Sequence, residues 1–163
     1  MNWITRLLPE RMRASLWLRL FGLAKIPLLY YVGVSIIELT PERMIVRIPL
    51  KRRNRNHLGS MYFGALCIGA DVAPGAYTML LIRQQPARIS MVFKDFQAEF
   101  LRRAEGDVFF TCAQGREIAE LVSRAAATDE RVERQLDVLA TVPTLSEEPV
   151  ARFKLTISLK RRT

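Results

Sequence analysis

The sequence predicts an α+β domain in which an antiparallel sheet wraps one apolar helix, with a helical extension in front of it. Three observations predict this. Residues 61–82 carry a single charge, Asp71. Residues 150–160 alternate apolar Phe153, Leu155, Ile157 and Leu159 with polar Lys154, Thr156, Ser158 and Lys160, the period of a half-solvated antiparallel strand. The other apolar runs are short, rich in β-branched residues and separated by turn residues, and the order of helix, two strands, apolar helix, then mostly strands belongs to the α+β class.

In chain order, residues 9–21 read as a helix, with Pro9 suited to its first turn and Gly22 to its stop. Residues 32–40 and 44–50 read as strands joined by Thr40-Pro41-Glu42-Arg43. A charged loop follows, Lys51-Arg52-Arg53-Asn54-Arg55-Asn56. Ser60 is placed to cap a helix beginning at Met61. Gly64, Ala65, Gly69 and Ala70 keep that helix slim enough for close wrapping, and Pro74-Gly75 kinks or ends it. Residues 88–98 and 107–114 read as strands, and 115–124 as a helix with Ile118, Leu121 and Val122 inward. Residues 134–142 and 150–160 complete the sheet. No repeat or linker interrupts the chain; the expected division is an extension over residues 1–24 and one domain over 25–163.

Composition narrows the chemistry. The chain has 163 residues and a net charge of +9, and half of it is hydrophobic, which argues against disorder. Its single histidine, His57, excludes a zinc site built on several histidines within one chain, and Cys67 and Cys112 have no metal-ligand spacing. No metal is expected. Gly59-Ser60-Met61 is not a nucleophile elbow, and there is no P-loop or dinucleotide fingerprint. The two cysteines read as plain buried thiols in a reducing, cytoplasmic setting. Nucleic acid is not expected as a partner, because no aromatics interleave the basic clusters.

The apolar stretch at 61–82 contains Pro74, three glycines and Asp71, and reads as a buried helix rather than a membrane span. At the N-terminus, Arg6, Arg11, Arg13, Arg19 and Lys25 face one acid, Glu10, with Trp3, Ile4, Leu7, Leu8, Leu16, Trp17, Leu20 and Phe21 between them. Three readings fit residues 1–24: a helix packed on its own domain, a helix lying on the inner face of an anionic membrane, or a targeting peptide.

The most informative stretch is Asn56-His57-Leu58-Gly59-Ser60-Met61-Tyr62-Phe63-Gly64-Ala65-Leu66, followed by Asp71. It resembles the hotdog-fold acyl-CoA thioesterases of the phenylacetate-pathway type, and more closely a functionally unassigned group within that superfamily. That type carries an Asn, then G-[ST]-x-H-G-G-A-L, then an acidic residue. Asn56 matches the Asn, Gly59 and Ser60 the G-[ST], Gly64, Ala65 and Leu66 the G-A-L, and Asp71 the acid. Residues 96–104 and 150–153 resemble later strands of the family. The family's His-Gly pair is Tyr62-Phe63 here.

The resemblance implies a hotdog fold, an acyl-CoA or other acyl thioester as substrate, no cofactor, and a site shared between subunits of a homodimer or tetramer. Asp71 is the candidate general base or nucleophile, its apolar neighbours raising its pKa; the alternative is an interface ion pair or cap. The amides near Phe63 and Gly64 are candidate oxyanion donors. Asn56 is a candidate for orienting thioester or water, or else a turn residue. His57, Gly59, Ser60 and Tyr62 are further substrate-facing candidates, each with a plainer role in loop, cap or packing. Arg52, Arg53 and Arg55, with Lys51, match coenzyme A phosphates or form a solvated loop. Thioester hydrolase is the first reading. The Tyr62-Phe63 departure keeps a second open: a non-catalytic module binding acyl-CoA or a fatty acyl group.

Overall fold

A computed structural model describes residues 10–162. The predicted helix start at Pro9, and Trp3, Ile4, Arg6, Leu7 and Leu8, lie outside them. The described chain runs α1 (Glu10–Lys25), α2 (Pro27–Val32), β1 (Ser35–Leu39), β2 (Met44–Ile48), a 3-10 turn (Arg52–Asn54), α3 (Phe63–Ile82), β3 (Ile89–Phe100), β4 (Val108–Cys112), α4 (Gly115–Ala127), β5 (Val132–Val142) and β6 (Ser146–Arg161). The strands form one sheet in the order β1-β2-β4-β5-β6-β3, antiparallel at every pairing. The predicted α+β class is the one observed.

The sheet curls around α3, whose side chains from Ala65 to Thr78 are largely buried. Inward residues of the central strands, Val46, Phe110, Val138, Phe153, Leu155 and Ile157, close the core on it. By length and composition α3 is a helix that could cross a bilayer, yet here it is mostly buried inside the protein. Pro74 and Gly75 do not end it. The Thr78 hydroxyl donates to the Pro74 carbonyl at 2.8 Å, and packing on nearly every side outweighs the local penalty of one proline.

Three other boundaries differ from expectation for identifiable reasons. Gly22 does not stop α1; it is where α2 folds back, and a Cβ there would lie 3.2 Å from the Tyr30 nitrogen. Residues 27–32 form α2, not coil leading into a strand, with Pro27 in its first turn and Gly33 left-handed at φ 75° just past its end. Ser60 does not cap α3, which begins two residues later than expected. Met61 instead bridges to Arg55 in extended conformation. β6 is also less solvated than its alternation predicts. Ser158 is buried, donating to Glu133 and accepting from Arg131 at 3.0 Å, so these two side chains cover the outer face there.

The two sheet edges are treated differently. At β1, the Ser15 hydroxyl of α1 donates to the Ile36 carbonyl and accepts from the Ile36 N–H, at 3.2 and 3.3 Å. One helix side chain thus occupies an edge pair of backbone groups. β3, at the far edge, is the longer strand, and from Lys94 to Phe100 all its side chains are exposed.

The loop before α3 is pinned by Asn54, which is buried and donates to the carbonyls of Val32 and Pro49 at 2.9 and 2.8 Å. Asn54→Ala would leave the buried Val32 carbonyl unpaired and the Pro49 carbonyl with the Lys51 N–H alone. We expect it to cost about 2–3 kcal/mol in a denaturant titration, whereas Asn→Ala at a surface turn costs well under half of that.

Candidate active site

α3 is not wrapped on every face. Gly64, Cys67, Ile68 and Asp71 are only half-buried, whereas Ala65, Leu66, Gly69, Ala70 and Val72 are buried. Gly64 and Asp71 stand seven residues apart, about 20° short of two full turns, and so share one face.

Asp71 opens onto a cavity of about 240 Å³ whose wall is otherwise apolar: Trp17, Phe21, Val72, Gly75, Met79 and Phe93 among others. α1 roofs this cavity, and Met91 and Phe93 of β3 close its side. Asp71 is, among the described residues, the one ionisable group on the wall. Among the described residues it has no hydrogen bond or ion pair, and desolvation pushes its carboxyl up to about 6. Asp107 shows the contrast. It too is desolvated, but the Leu50 N–H and the Arg47 guanidinium outweigh that and hold it below the usual carboxylate value.

At the other end of the same face lies the α3 N-terminus. Tyr62 occupies the cap position in extended conformation and no side chain caps the helix. The Phe63 and Gly64 amides are therefore the leading free donors of the first turn. The Tyr62 ring lies over Gly64: a Cβ there would be 2.6 Å from its Cε1 atom. Tyr62, Phe63 and Phe100 are exposed, and an aromatic chain runs Tyr62–Phe63–Phe100–Phe153 at centroid spacings of 4.8, 6.2 and 6.0 Å. The family's His-Gly pair is thus replaced by an aromatic wall.

Asn56, Gly59 and Ser60 form a closed turn of their own. The Asn56 side chain accepts from the Leu58 N–H at 2.9 Å and donates to the Ser60 hydroxyl at 3.0 Å, and Gly59 adopts φ +82°. Ser60 is buried in this turn, and His57 is exposed beside it. Arg53 stacks over the Tyr31 ring at 5.6 Å, and Arg52 and Arg55 are exposed. Cys112 is a buried free thiol; Cys67, expected to be buried, is half-exposed on the Asp71 face.

The structure therefore brings Gly64 and Asp71 to one face but leaves them roughly 10 Å apart along the helix axis. The cavity wall was missed by sequence reading, although Trp17 and Phe21, four residues apart and stacked at 5.2 Å, carried the signal of a paired aromatic face.

Residues 15–159 match the domain of unknown function DUF4442. The chain belongs to the DUF4442 family. No curated protein matches it. Among solved structures, this DUF4442 chain is similar to a Pseudomonas aeruginosa protein of unknown function named as a probable thioesterase, at 28% identity and TM-score 0.74, covering 95% of this chain and 97% of that one. It is similar to a Chlorobaculum tepidum protein of unknown function at 15% identity and TM-score 0.79, covering 93% and 97%. A Haemophilus influenzae thioesterase shares the fold at 14% identity and TM-score 0.65, covering 87% and 88%. This DUF4442 protein has the hotdog fold and is thioesterase-like.

Proposed function

We propose that the protein is an acyl-CoA thioester hydrolase working as a homodimer, with Asp71 as general base. The observation that carries this is a single desolvated carboxylate at the mouth of an apolar cavity, on the same helix face as an uncapped helix N-terminus. The acyl chain would occupy the cavity under α1, with its thioester carbon beside Asp71. Asp71 takes a proton from water as the water oxygen bonds to that carbon. The charge arriving on the carbonyl oxygen is met by the Phe63 and Gly64 amides of the partner subunit. Collapse breaks the carbon–sulfur bond, and the proton held by Asp71 passes to the departing thiolate. Arg52 and Arg55 form no ion pair among the described residues and, with Lys51, whose charge also acts on Asp107, suit the coenzyme A phosphates.

A second copy is needed because one chain keeps carboxylate and helix start apart. The open β3 edge and the exposed Phe63 and Phe100 beside it support pairing there. If a two-fold axis sets Asp71 of one copy opposite Gly64 of the other, the α3 helices run antiparallel and cross midway, at Cys67 and Ile68. A short bismaleimide should then cross-link wild-type protein into dimers. Cys67→Ser should stay monomeric on a denaturing gel, since the other thiol, Cys112, is buried. Dimers in solution without a Cys67 cross-link would count against this arrangement.

One observation favours the second reading: the Tyr62 ring packs where a Gly64 side chain would stand, crowding the start of α3. Thiol release measured across short, long and aromatic acyl-CoAs separates the two. Turnover supports the hydrolase. No turnover, with acyl-CoA still raising the melting temperature, supports a binding module.

A further inference from the structure

α1 has two apolar faces. Ala14, Trp17, Leu18 and Phe21 point inward, to the core and the cavity. Met12, Leu16, Leu20 and Leu23 fall within about 80° on the other side, and they are 47%, 41%, 57% and 58% exposed. Arg13 and Arg19, both exposed, flank that outer stripe. The exposed apolar surface continues through Ile26 and Leu28 into Tyr30 and Tyr31 of α2. There Arg53 joins it by stacking on Tyr31.

The charge around this stripe is predominantly basic, with Glu10 at the start of α1 the acid nearest it in sequence. Residues 11–37 contain no Asp or Glu, and neither do residues 51–62. The other basic end of the chain is different: Arg161 is paired with Asp129 and also donates to the Ala126 carbonyl. An exposed leucine stripe with an unneutralised basic rim is complementary to an anionic lipid surface, where the leucines enter the acyl boundary and the arginines remain at the headgroups. It is poorly suited to a second copy, which would bring the same basic rim and a net charge of +9 against its own kind.

We infer that the outer face of α1, continued by α2, docks the protein on anionic bilayers. The inference stands whether or not the protein hydrolyses thioesters. It also places lipid against the helix whose inner face roofs the Asp71 cavity, so that a single layer of side chains separates the two.

The test is co-sedimentation of the full chain with vesicles of phosphatidylcholine alone and of phosphatidylcholine with phosphatidylglycerol. Wild type should sediment with the anionic vesicles, more weakly at high salt, and much less with the neutral ones. Leu16→Ser, Leu20→Ser and Leu23→Ser combined should lower partitioning on the order of a hundredfold. Arg13→Glu with Arg19→Glu should erase the preference for anionic vesicles. Because these side chains are exposed, the variants should keep the wild-type melting temperature, and light scattering should give the wild-type mass. Equal recovery of wild type with and without anionic vesicles overturns the inference. So does undiminished binding by the folded leucine variant, or a leucine variant of lower oligomeric mass, which would assign the face to contacts between copies.

Discussion

Asp71→Asn is expected to lower thioester hydrolysis by about 10²–10⁴-fold while leaving a folded protein that is more stable than wild type above neutral pH. Both effects follow from one environment. Apolar walls raise the carboxyl from 3.8 to about 6, so it is ionised at neutral pH and still basic enough to take a proton from water. kcat/KM should therefore rise with pH through about 6 and then level. The same shift has an opposite sign for folding. Below pH 3.8 the carboxyl is neutral in both folded and unfolded chains. As pH rises from there through 6, the unfolded chain ionises first, and stability is lost up to a limit of about 3 kcal/mol. Asn carries no such loss. Melting curves of the two proteins should thus diverge between pH 4 and pH 8, with the variant ahead only at the higher pH. A variant that hydrolyses like wild type would remove Asp71 from the mechanism, and an advantage equal at both pH values would mean the side chain is not desolvated.

Gly69→Ala should have the largest effect on the fold. Gly69 lies where α3 meets β4, and an added Cβ would overlap the edge of the Phe110 ring. Phe110 is fully buried and packs on Phe153, 6.5 Å away between centroids, so it has nowhere to move. We expect a loss of about 3 kcal/mol or more, a fall in Tm of roughly 6–12 °C. Gly75→Ala makes the comparison. Its Cβ would stand 3.3 Å from Phe93 and 3.5 Å from an Asp71 oxygen, which the structure absorbs for much less, helped by better helix propensity. Equal melting temperatures for the two variants would contradict this packing.

The sequence is most legible where one physical signal dominates. The alternation in β6 and the inward Ile118, Leu121 and Val122 of α4 are periodic over whole elements, and the observed elements contain them. Signals that depend on partners elsewhere in the fold are misread. Pro74 is a strong local stop, but the sheet around α3 is not visible from residues 73–76. Gly22 resembles a terminator because nothing local reveals that α2 returns onto it, although Pro27 and Gly33 mark that helix at both ends. In the site, Asp71 stands out as one charge in an apolar run. Its cavity does not, because part of its wall, from Trp17 to Leu29, lies about 40 residues or more before Asp71 in the chain. Asn56 is legible as a turn residue, but its bond to Ser60, which reads as a helix cap, is not.

The Ser15 contact on β1 has a consequence for assembly. With the Ile36 backbone groups of one margin taken up by α1, the proposed pairing has β3 as its open margin. Two such margins that meet about a two-fold axis consume each other, and no sticky end remains for a third chain. If the proposed dimer pairs through β3, growth along the sheet is expected to end at a pair, and raising the concentration should saturate dimers rather than seed fibres.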